Sequence, residues 1–463
     1  MSIFVNRVLN MKHIKVIGFD MDHTLVRYHS DKFEELTFNE SVQKLISDKE
    51  YPKEISEFKF DFNSAIRGLI VDKVNGNILK VSLYNKIKTA YHGTKVLSYK
   101  EQKKLYRGSS VDLSEAQYMS IDTTFSIAHT VLFAQLVDLK DKKPDLDLPE
   151  YANIADDVTY AVDLAHRDGS LKDAVKSNLA DYVIKDEKIV NALEKYAKYG
   201  KRLWVVTNSD YNYTKALLDY TINPFLKDHK DWTELFEITV TLACKPRFFT
   251  DTNAFLSVED NTGLMSNFDK KVVPGIYQGG NAIKLQVDMG VNEDEILYLG
   301  DHIYGDIVKL KKACGWRTAL VIEELDREVA AYKSTKAISI DIDNLMEQKI
   351  VLEKLIDNLY SKEHEFGEKV AKDDVFSKFD QIDKIDKQIG SLIKQYEANF
   401  NHHWGEVMRA GAEPSIFASQ VERYACIYMT KVSDFCDYNP RNYYRPSKKK
   451  MSHELNYSLP SSS

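Results

Sequence analysis

Cysteine, long apolar runs and excess positive charge are all scarce in this chain of 463 residues. Its cysteines, Cys244, Cys314, Cys426 and Cys436, have no zinc-like spacing and do not suggest a disulfide framework, which fits a reducing compartment. No run of 18 apolar residues is present, and residues 1–13 lack the apolar region of a signal peptide. The formal net charge of -7 gives no electrostatic footprint for nucleic acid. We therefore expect a cytoplasmic protein that binds neither membranes nor nucleic acid.

What the chain does contain is enough apolar material for a large folded body. Hydrophobic residues make up 43% and charged residues 29% of the sequence, which predicts a full core and two or more units. No internal repeat or low-complexity tract indicates a pure interaction protein.

Two aspartates one residue apart follow an apolar run near the start. Residues 14–19 are rich in β-branched and aromatic side chains, which predicts a buried strand that delivers Asp20 and Asp22 to its C-terminal edge. Ligands bind at that edge in open α/β sheets, and residues i and i+2 point the same way, so both carboxylates can face one substrate. Gly18 would leave room for close backbone approach. Two aspartates can also simply end a strand in a solvated loop, but the string Asp-Met-Asp-His-Thr-Leu favours phosphoryl transfer.

Three more strand-like runs end in polar residues. The runs are 202–206, 237–243 and 296–299, and they lead into Thr207-Asn208-Ser209-Asp210, Cys244-Lys245-Pro246 and the acidic segment 300–306. Taken alone, the first polar segment is typical of a turn, the second of the protein surface and the third of a loop. Four such segments in this order favour one common site.

With these residues in order, the chain resembles the haloacid dehalogenase superfamily, whose first motif is Asp-x-Asp-x-Thr. The resemblance implies an aspartyl-phosphate on Asp20, with Asp22 protonating the leaving oxygen and then activating water. A phosphate monoester is a dianion, so the site must also supply positive charge and hydrogen-bond donors. The expected phosphate-binding residues are Met21, Thr207, Asn208 and Lys245.

The same resemblance implies a magnesium site. Mg²⁺ prefers oxygen ligands in octahedral geometry, which Asp20, Asp301 and the backbone carbonyl of Asp22 would supply. Asp306 would orient Lys245 or a metal-bound water from outside the ligand set.

A closer resemblance covers nearly the whole chain. The segments that carry it are Phe4-Val5-Asn6-Arg7, Thr207-Asn208-Ser209-Asp210-Tyr211, Tyr277-Gln278-Gly279-Gly280 and residues 300–307. They are similar to the cytosolic purine 5'-nucleotidase II family, which dephosphorylates IMP and GMP and can pass the phosphoryl group to another nucleoside. The resemblance therefore implies a hydrolase acting on purine nucleoside monophosphates.

Between Asp22 and Thr207 the chain is far longer than one crossover connection needs, which predicts an inserted cap. The expected base-binding residues, by resemblance, are Phe125, Asp163, His166 and Lys172. Phe125 would stack on the purine, and Asp163 and Lys172 would recognise its polar edge. Alternatively, Phe125 belongs to the core and the two charges to a solvated helix face. Ser126 and Thr159 stand where the family carries an asparagine and an arginine, so the nucleotide preference is expected to differ in detail.

The predicted fold is α/β, with a Rossmann-like doubly wound parallel sheet, a large α+β cap and a C-terminal helical hairpin. The predicted segments are 1–35 for the first strand and catalytic loop, 36–190 for the cap, 191–340 for the rest of the core, 341–438 for a helical extension and 439–463 for a flexible tail. Apolar residues at spacings of three and four, such as Ile382, Ile385 and Ile389, predict the long helices. These helices would pack on the core or on a second subunit, and the family's oligomers imply a dimer or tetramer.

Regulation and two alternative functions complete the expectations. Lys309, Lys311 and Lys312 match part of the family's nucleotide effector region, although three lysines can also be ordinary helix surface. One alternative is a sugar-phosphate or other small-molecule phosphatase on the same core. The other is a non-catalytic nucleotide sensor, whose usual mark would be a missing motif residue, and none is missing.

Overall fold

The computed structural model describes residues 3–107, 110–260, 262–449 and 451–455. The chain divides into two compact units. The larger comprises Met1–Glu323 and Ala410–Ser463, and the smaller comprises Glu324–Arg409.

In its described residues, the larger unit contains a ten-stranded sheet. In chain order, strands β1 to β10 are Ile3–Val5, Val16–Phe19, Arg202–Val206, Ile238–Thr241, Phe255–Val258, Met265–Phe268, Gly275–Gly279, Ile296–Gly300, Arg317–Val321 and Ile427–Met429. They are arranged in the order β1-β10-β9-β8-β2-β3-β4-β7-β5-β6. The seven neighbouring strands β10, β9, β8, β2, β3, β4 and β7 run parallel to one another. At the edges of the sheet, β1, β5 and β6 pair antiparallel with their neighbours. The predicted α/β class with a mostly parallel sheet is confirmed.

Strand β2 stands where the strand order reverses. From β2 the chain adds β3, β4 and β7 on one side of the sheet, and it later returns to place β8 and β9 on the other. Strands β2, β4 and β8 are buried along their whole length, which the apolar sequences of β2 and β8 predict, whereas β4 also buries Thr239 and Thr241. Ligands bind beside such a reversal, outside the carboxyl ends of the strands, and these ends carry the predicted motifs.

A second sheet lies in the long segment between β2 and β3. Its antiparallel strands, in spatial order, are Lys95–Val96, Ile87–His92, Asn77–Val81, Ile70–Asp72 and Tyr118–Ser120. The helices of this segment are Ser30–Asp48, Tyr99–Leu105, Ile127–Lys142, Tyr151–Arg167, Ser170–Ser177, Leu179–Tyr182 and Glu187–Lys198. The short strands Arg27–Tyr28 and Val183–Ile184 pair antiparallel, so the two ends of the segment meet.

The predicted limits of the cap, 36 and 190, do not coincide with the ends of secondary-structure elements. They fall inside the helices Ser30–Asp48 and Glu187–Lys198. The cap and its limits therefore stay a prediction.

Further helices of the larger unit cover the sheet or follow it. They are Tyr211–Thr221, Trp232–Leu235, Arg247–Thr250, Ala282–Asp288, Lys309–Ala313, Ile416–Tyr424 and Ser452–Leu455, with a π-helical turn at Ile303–Val308. Within the described residues, no helix is both long and apolar enough to cross a membrane.

The smaller unit consists mainly of two long helices, Leu325–Phe366 and Lys372–Glu397. They pack against each other, and Lys349 Nζ lies 2.7 Å from Asp386 Oδ1. The first helix begins at Leu325, so the predicted boundary at 341 is wrong because it falls inside that helix. Of the predicted apolar stripe, Ile382 and Ile389 are buried, and Ile385 is half-buried.

The end of the chain also differs from the prediction. Residues 410–438 belong to the larger unit, where β10 pairs with β9, rather than to a helical extension. In the predicted tail, Tyr443–Tyr444 pairs with Leu9–Asn10, and Tyr444 is buried. Aromatic side chains supply the apolar area that holds this segment, so residues 443–444 are not a free tail. Residue 450 and residues 456–463 of that predicted tail lie outside the described residues.

Candidate active site

Residues of three motifs meet at the carboxyl ends of β2, β4 and β8. Lys245 Nζ lies 2.7 Å from Asp20 Oδ1 and 2.8 Å from Asp306 Oδ1, and all three side chains are buried. The same ammonium donates to the hydroxyl of Tyr298 at 3.1 Å, and that hydroxyl donates to the carbonyl of Val206 at 3.0 Å. The lysine cation is therefore fixed between two carboxylates and anchored to the sheet.

The electrostatics of this cluster favour a further cation. Burial raises the pKa of Asp20 well above its ordinary value, with Lys245 opposing and the neighbouring carboxylates of Asp306, Asp301 and Asp22 adding to the rise. Burial would lower the pKa of Lys245, but Asp20 and Asp306 together raise it well above its usual range. One ammonium cannot neutralise these carboxylates, and like charges in a buried site repel strongly.

Asp20, Asp301 and Asp306 form a cluster with the chemistry of a magnesium site. Each offers a carboxylate oxygen, and the three oxygens lie within 4.8 Å of one another. Octahedral Mg²⁺ at its usual ligand distance separates its ligands by about 3 to 4 Å, so small side-chain adjustments would suffice. Asp306, which we expected only to orient other groups, lies among the oxygen donors and also pairs with Lys245.

Asp22 is held by two hydroxyl groups that the sequence analysis missed. Tyr28 donates to Asp22 Oδ1 at 2.6 Å, and Ser209 donates to Asp22 Oδ2 at 2.8 Å. The hydroxyl of Tyr28 also lies 3.1 Å from that of Tyr213. Burial, followed by the neighbouring Asp22 carboxylate, raises the pKa of Tyr28 well above its ordinary value, so this phenol stays a donor. Both carboxylate oxygens of Asp22 are therefore oriented by neutral donors.

The predicted phosphate-binding residues lie around the same strand ends, but one has an unexpected partner. The backbone N–H of Met21 donates to Asp20 Oδ1 at 2.7 Å, and Thr207 Oγ1 accepts from the backbone N–H of Ser209 at 3.0 Å. Asn208 accepts from the backbone N–H of Lys245 at 2.6 Å and donates to its carbonyl at 3.1 Å. An amide nitrogen has two N–H groups, so Asn208 fixes the lysine loop and retains one donor.

Two glycines make room for the site. A Cβ on Gly300 would lie 2.4 Å from Asp306 Cβ, so only glycine allows this carboxylate to approach β8. A Cβ on Gly18 would lie 2.9 Å from Tyr298 Cδ2. The space that we expected to allow close backbone approach at Gly18 is therefore taken by the ring whose hydroxyl holds Lys245.

An aromatic cluster stands beside Asp22. His23 is buried with a φ of +52°, and its ring centroid lies 4.5 Å from that of Phe125 and 6.1 Å from that of Phe33. The Phe125 ring is in turn 5.3 Å from His166. Phe125 is half-buried and packs against the main core cluster. This agrees in part with the alternative prediction that Phe125 belongs to the core.

His166 presents an unpartnered nitrogen in this cluster. Its Nδ1 lies 2.9 Å from the carbonyl of Val162, which makes Nδ1 the protonated nitrogen and leaves Nε2 as an acceptor. Burial lowers the pKa of His166, so the imidazole stays neutral. Nε2 is buried and has no hydrogen-bond partner among the described residues.

The two charged residues of the predicted base site are placed differently. Asp163 is exposed, whereas Lys172 is half-buried and its Nζ lies 2.7 Å from Asp210 Oδ2. Both are near enough to His166 to act on its pKa. Of the two family departures, Thr159 Oγ1 donates to the carbonyl of Ala155 at 2.8 Å, as the interior of a helix allows.

The lysines of the expected effector region do not converge. Lys311 donates to the carbonyls of Gly315 and Trp316 at 3.3 and 3.1 Å. Lys309 Nζ lies 5.0 Å from the ring centroid of Tyr304, and Lys312 Nζ lies 5.5 Å from that of Tyr424. Lys311 is folded back on the end of its own helix, which leaves Lys309 and Lys312 to face solvent or a ligand.

A model of the 5' nucleotidase family matches residues 3–456. The chain belongs to the 5'-nucleotidase family. This is the family expected from the motifs, and membership makes the protein a phosphoric monoester hydrolase with nucleotide phosphatase activity.

One relative and one solved structure illustrate the similarity. This 5'-nucleotidase family member is 28% identical over 465 aligned positions to a 5'-nucleotidase domain-containing protein of Dictyostelium discoideum, covering 98% of this chain and 75% of that one. The crystal structure of a predicted phosphoglycolate phosphatase from Haemophilus somnus aligns with 67% of this chain and 85% of its own, at 14% identity and a TM-score of 0.29. That TM-score is too low to bear on fold or activity.

Proposed function

We propose that this 5'-nucleotidase uses Mg²⁺ to hydrolyse purine nucleoside 5'-monophosphates, IMP and GMP, through an aspartyl-phosphate formed on Asp20. The observation that carries the proposal is the buried arrangement of Asp20, 2.7 Å from Lys245, within 4.8 Å of the other acidic oxygens. Asp22 stands two residues away with both of its oxygens oriented. This arrangement supports the proposed roles of Asp20 as nucleophile, Lys245 as cation and Asp22 as proton donor.

In the first half of the reaction, a carboxylate oxygen of Asp20 attacks phosphorus and the bond from phosphorus to the nucleoside 5'-oxygen breaks. Asp22, in its protonated form, gives its proton to that leaving oxygen, and the nucleoside departs. Lys245 and the donors at Thr207 and Asn208 hold the charge that spreads over the phosphoryl oxygens.

In the second half, Asp22 takes a proton from a water molecule, whose oxygen attacks phosphorus. The bond between phosphorus and Asp20 breaks, inorganic phosphate leaves and the carboxylate is restored. A nucleoside hydroxyl in place of that water would give phosphotransfer, which we include in the proposal.

Asp20, Asp301 and Asp306 would hold the metal, with the backbone carbonyl of Asp22 as a further oxygen donor. Bound Mg²⁺ supplies positive charge that lets a carboxylate approach a phosphate dianion. This chain's residues set the orientation of the ligands, because Lys245 fixes both Asp20 and Asp306.

The preference for 6-oxopurines is supported by the aromatic cluster. His166 Nε2 is a buried acceptor beside Phe125, and a 6-oxopurine carries an N1–H donor that could satisfy it. Lys172, if released from Asp210, would face the oxygen at position 6. Recognition by Asp163 would require its exposed carboxylate to reach the base from the solvent side.

Location, assembly and regulation remain part of the proposal. We propose a cytoplasmic homo-oligomer whose activity responds to a nucleotide effector near Lys309 and Lys312. Lys311 contributes to the helix end rather than to that site.

Phosphate release from IMP, GMP, AMP, CMP, UMP and glucose 6-phosphate, with Mg²⁺ and with EDTA, tests the proposal. We expect IMP and GMP to be the best substrates and EDTA to abolish turnover. A flat or sugar-favouring profile would contradict the base site and support the alternative phosphatase. Absence of activity on every substrate would support a nucleotide sensor.

A further inference from the structure

Arg67 is a buried arginine whose guanidinium reaches the loop after β8. It is 1% exposed, and its Nη1 donates to the carbonyls of Asp301 at 2.8 Å and Val321 at 3.1 Å. Its Nη2 donates to Thr124 Oγ1 at 2.9 Å. One side chain from the segment between β2 and β3 therefore binds the backbone of a candidate metal ligand, the end of β9 and the turn that precedes Phe125.

The backbone brings this arginine and that turn together. The N–H of Gly68 donates to the carbonyl of Ile121 at 2.7 Å, and the N–H of Ile121 donates to the carbonyl of Leu69 at 2.9 Å. Gly68 has a φ of +86°, and a Cβ there would lie 2.7 Å from Phe417 Cβ, so glycine is required at this crossing. The two paired strands thus deliver Arg67 and residues 123–124 to the same loop.

Thr123 binds the side-chain carboxylate of Asp301. Its Oγ1 donates to Asp301 Oδ2 at 2.9 Å, while Arg67 holds the carbonyl of the same residue. Both the main chain and the carboxylate of Asp301 are therefore oriented by residues of the inserted segment, and Asp301 is itself only 3% exposed.

We propose that Arg67, together with Thr123, is a positioning residue that sets the orientation of Asp301 for metal binding. This inference rests on the proposed function, because it takes Asp301 as a ligand of the divalent cation. Partners that orient metal ligands act through geometry, and their loss weakens metal affinity even when every ligand is retained.

The charge of Arg67 and its geometry act in opposite directions on a bound cation. A guanidinium repels a divalent ion, whereas its fork of donors holds the ligand that the ion needs. Arg67→Lys separates the two effects, because lysine keeps the charge but cannot match three acceptors with a planar fork. Thr123→Val removes one hydroxyl donor without any change of charge.

Binding of Mn²⁺ to the full-length protein, followed by electron paramagnetic resonance of the free ion, measures this directly. Mn²⁺ suits a site of carboxylate oxygens as Mg²⁺ does. We expect the dissociation constant to rise on the order of 10-fold in Arg67→Lys and several-fold in Thr123→Val. The unfolding temperature in EDTA is recorded for each variant.

Lys201→Met is the matched control for burial and hydrogen bonding. Lys201 is a buried cation that donates to the carbonyls of Met11 and Ile14 at the opposite end of β2. Its replacement should lower the unfolding temperature and leave Mn²⁺ binding unchanged.

Asp301→Asn separates failure of this inference from failure of the proposed function. Normal Mn²⁺ binding by Arg67→Lys and Thr123→Val, with binding lost in Asp301→Asn, would overturn the positioning role alone. Binding in Asp301→Asn equal to that of the unaltered protein would overturn the metal site and the inference with it.

Discussion

Replacing Glu34 by glutamine should remove a loss of stability that we expect as the pH rises. Glu34 is fully buried, its Oε2 accepts from the backbone N–H of Ala128 at 2.8 Å, and its Oε1 has no hydrogen-bond partner among the described residues. Burial raises the pKa of Glu34 from 4.5 to about 8, while the Ala128 N–H and His23 partly oppose the rise. The folded protein therefore holds this carboxyl in its neutral form at pH 7.

The sign and size of the effect follow from the two pKa values. The neutral carboxyl contributes fully to stability below pH 4.5, and this contribution is lost as the pH rises through about 8. At about 1.36 kcal/mol for each pH unit between the two values, the loss amounts to roughly 5 kcal/mol. Glutamine cannot ionise and can still accept from Ala128, so Glu34→Gln should keep the low-pH stability at pH 9.

Urea unfolding at pH 5 and pH 9 measures this difference for both proteins. We expect the two to agree within about 1 kcal/mol at pH 5 and the variant to be more stable by several kcal/mol at pH 9. Glu194→Gln is the control, because hydrogen bonds from the 227–229 loop outweigh burial and lower the pKa of Glu194. Glu194→Gln should lower the stability of the protein at neutral pH, and the further loss of stability between pH 5 and pH 9 should remain. Equal alkaline losses in Glu34→Gln and the unaltered protein would refute the reasoning.

Three further predictions concern the active site. Asp20→Asn should lower kcat by at least about 10³-fold with the fold retained, since it removes the proposed nucleophile at nearly constant volume; near-normal turnover in a folded variant would contradict the proposed mechanism. Tyr28→Phe removes the 2.6 Å hydrogen bond to Asp22 and should lower kcat about 10-fold with little change in KM, and an unchanged kcat would dismiss the orienting role of this phenol. Gly300→Ala places a Cβ 2.4 Å from Asp306 Cβ and should cost about 1 to 3 kcal/mol in urea unfolding while weakening Mg²⁺ stabilisation, which a thermal titration with Mg²⁺ would detect.

Prediction from the sequence worked best where the signal was local. The run 202–206 became β3 with the same limits, and the run 296–299 became β8 with one added residue. Each run combines apolar β-branched residues with an abrupt polar end, and parallel strands bring such ends to one edge. The grouping of Asp20, Lys245 and Asp306 follows from that rule alone.

Side-chain partners at long range could not be predicted in the same way. Ser209 lies within a motif segment and Tyr28 follows one, but their convergence on Asp22 depends on side-chain directions in three dimensions. Arg67 is separated from Asp301 by most of the larger unit's sequence, and a lone arginine before an apolar strand carries no local signal of burial. Lys172 was assigned to the base, but the nearest carboxylate, Asp210, holds it.

The sequence by itself determined the α/β class, the family and the order of the catalytic motifs, because strand patterns and motif residues are encoded within a few neighbouring positions. The tertiary structure alone decided where the units begin and end, since the helix Leu325–Phe366 continues through a change of composition at 341. It also decided which side chains orient Asp22 and Asp301, and that the segment around Tyr444 packs on the core rather than forming a tail. These outcomes depend on contacts between residues that are distant in sequence. Such contacts form, and contribute to stability, only when the chain folds.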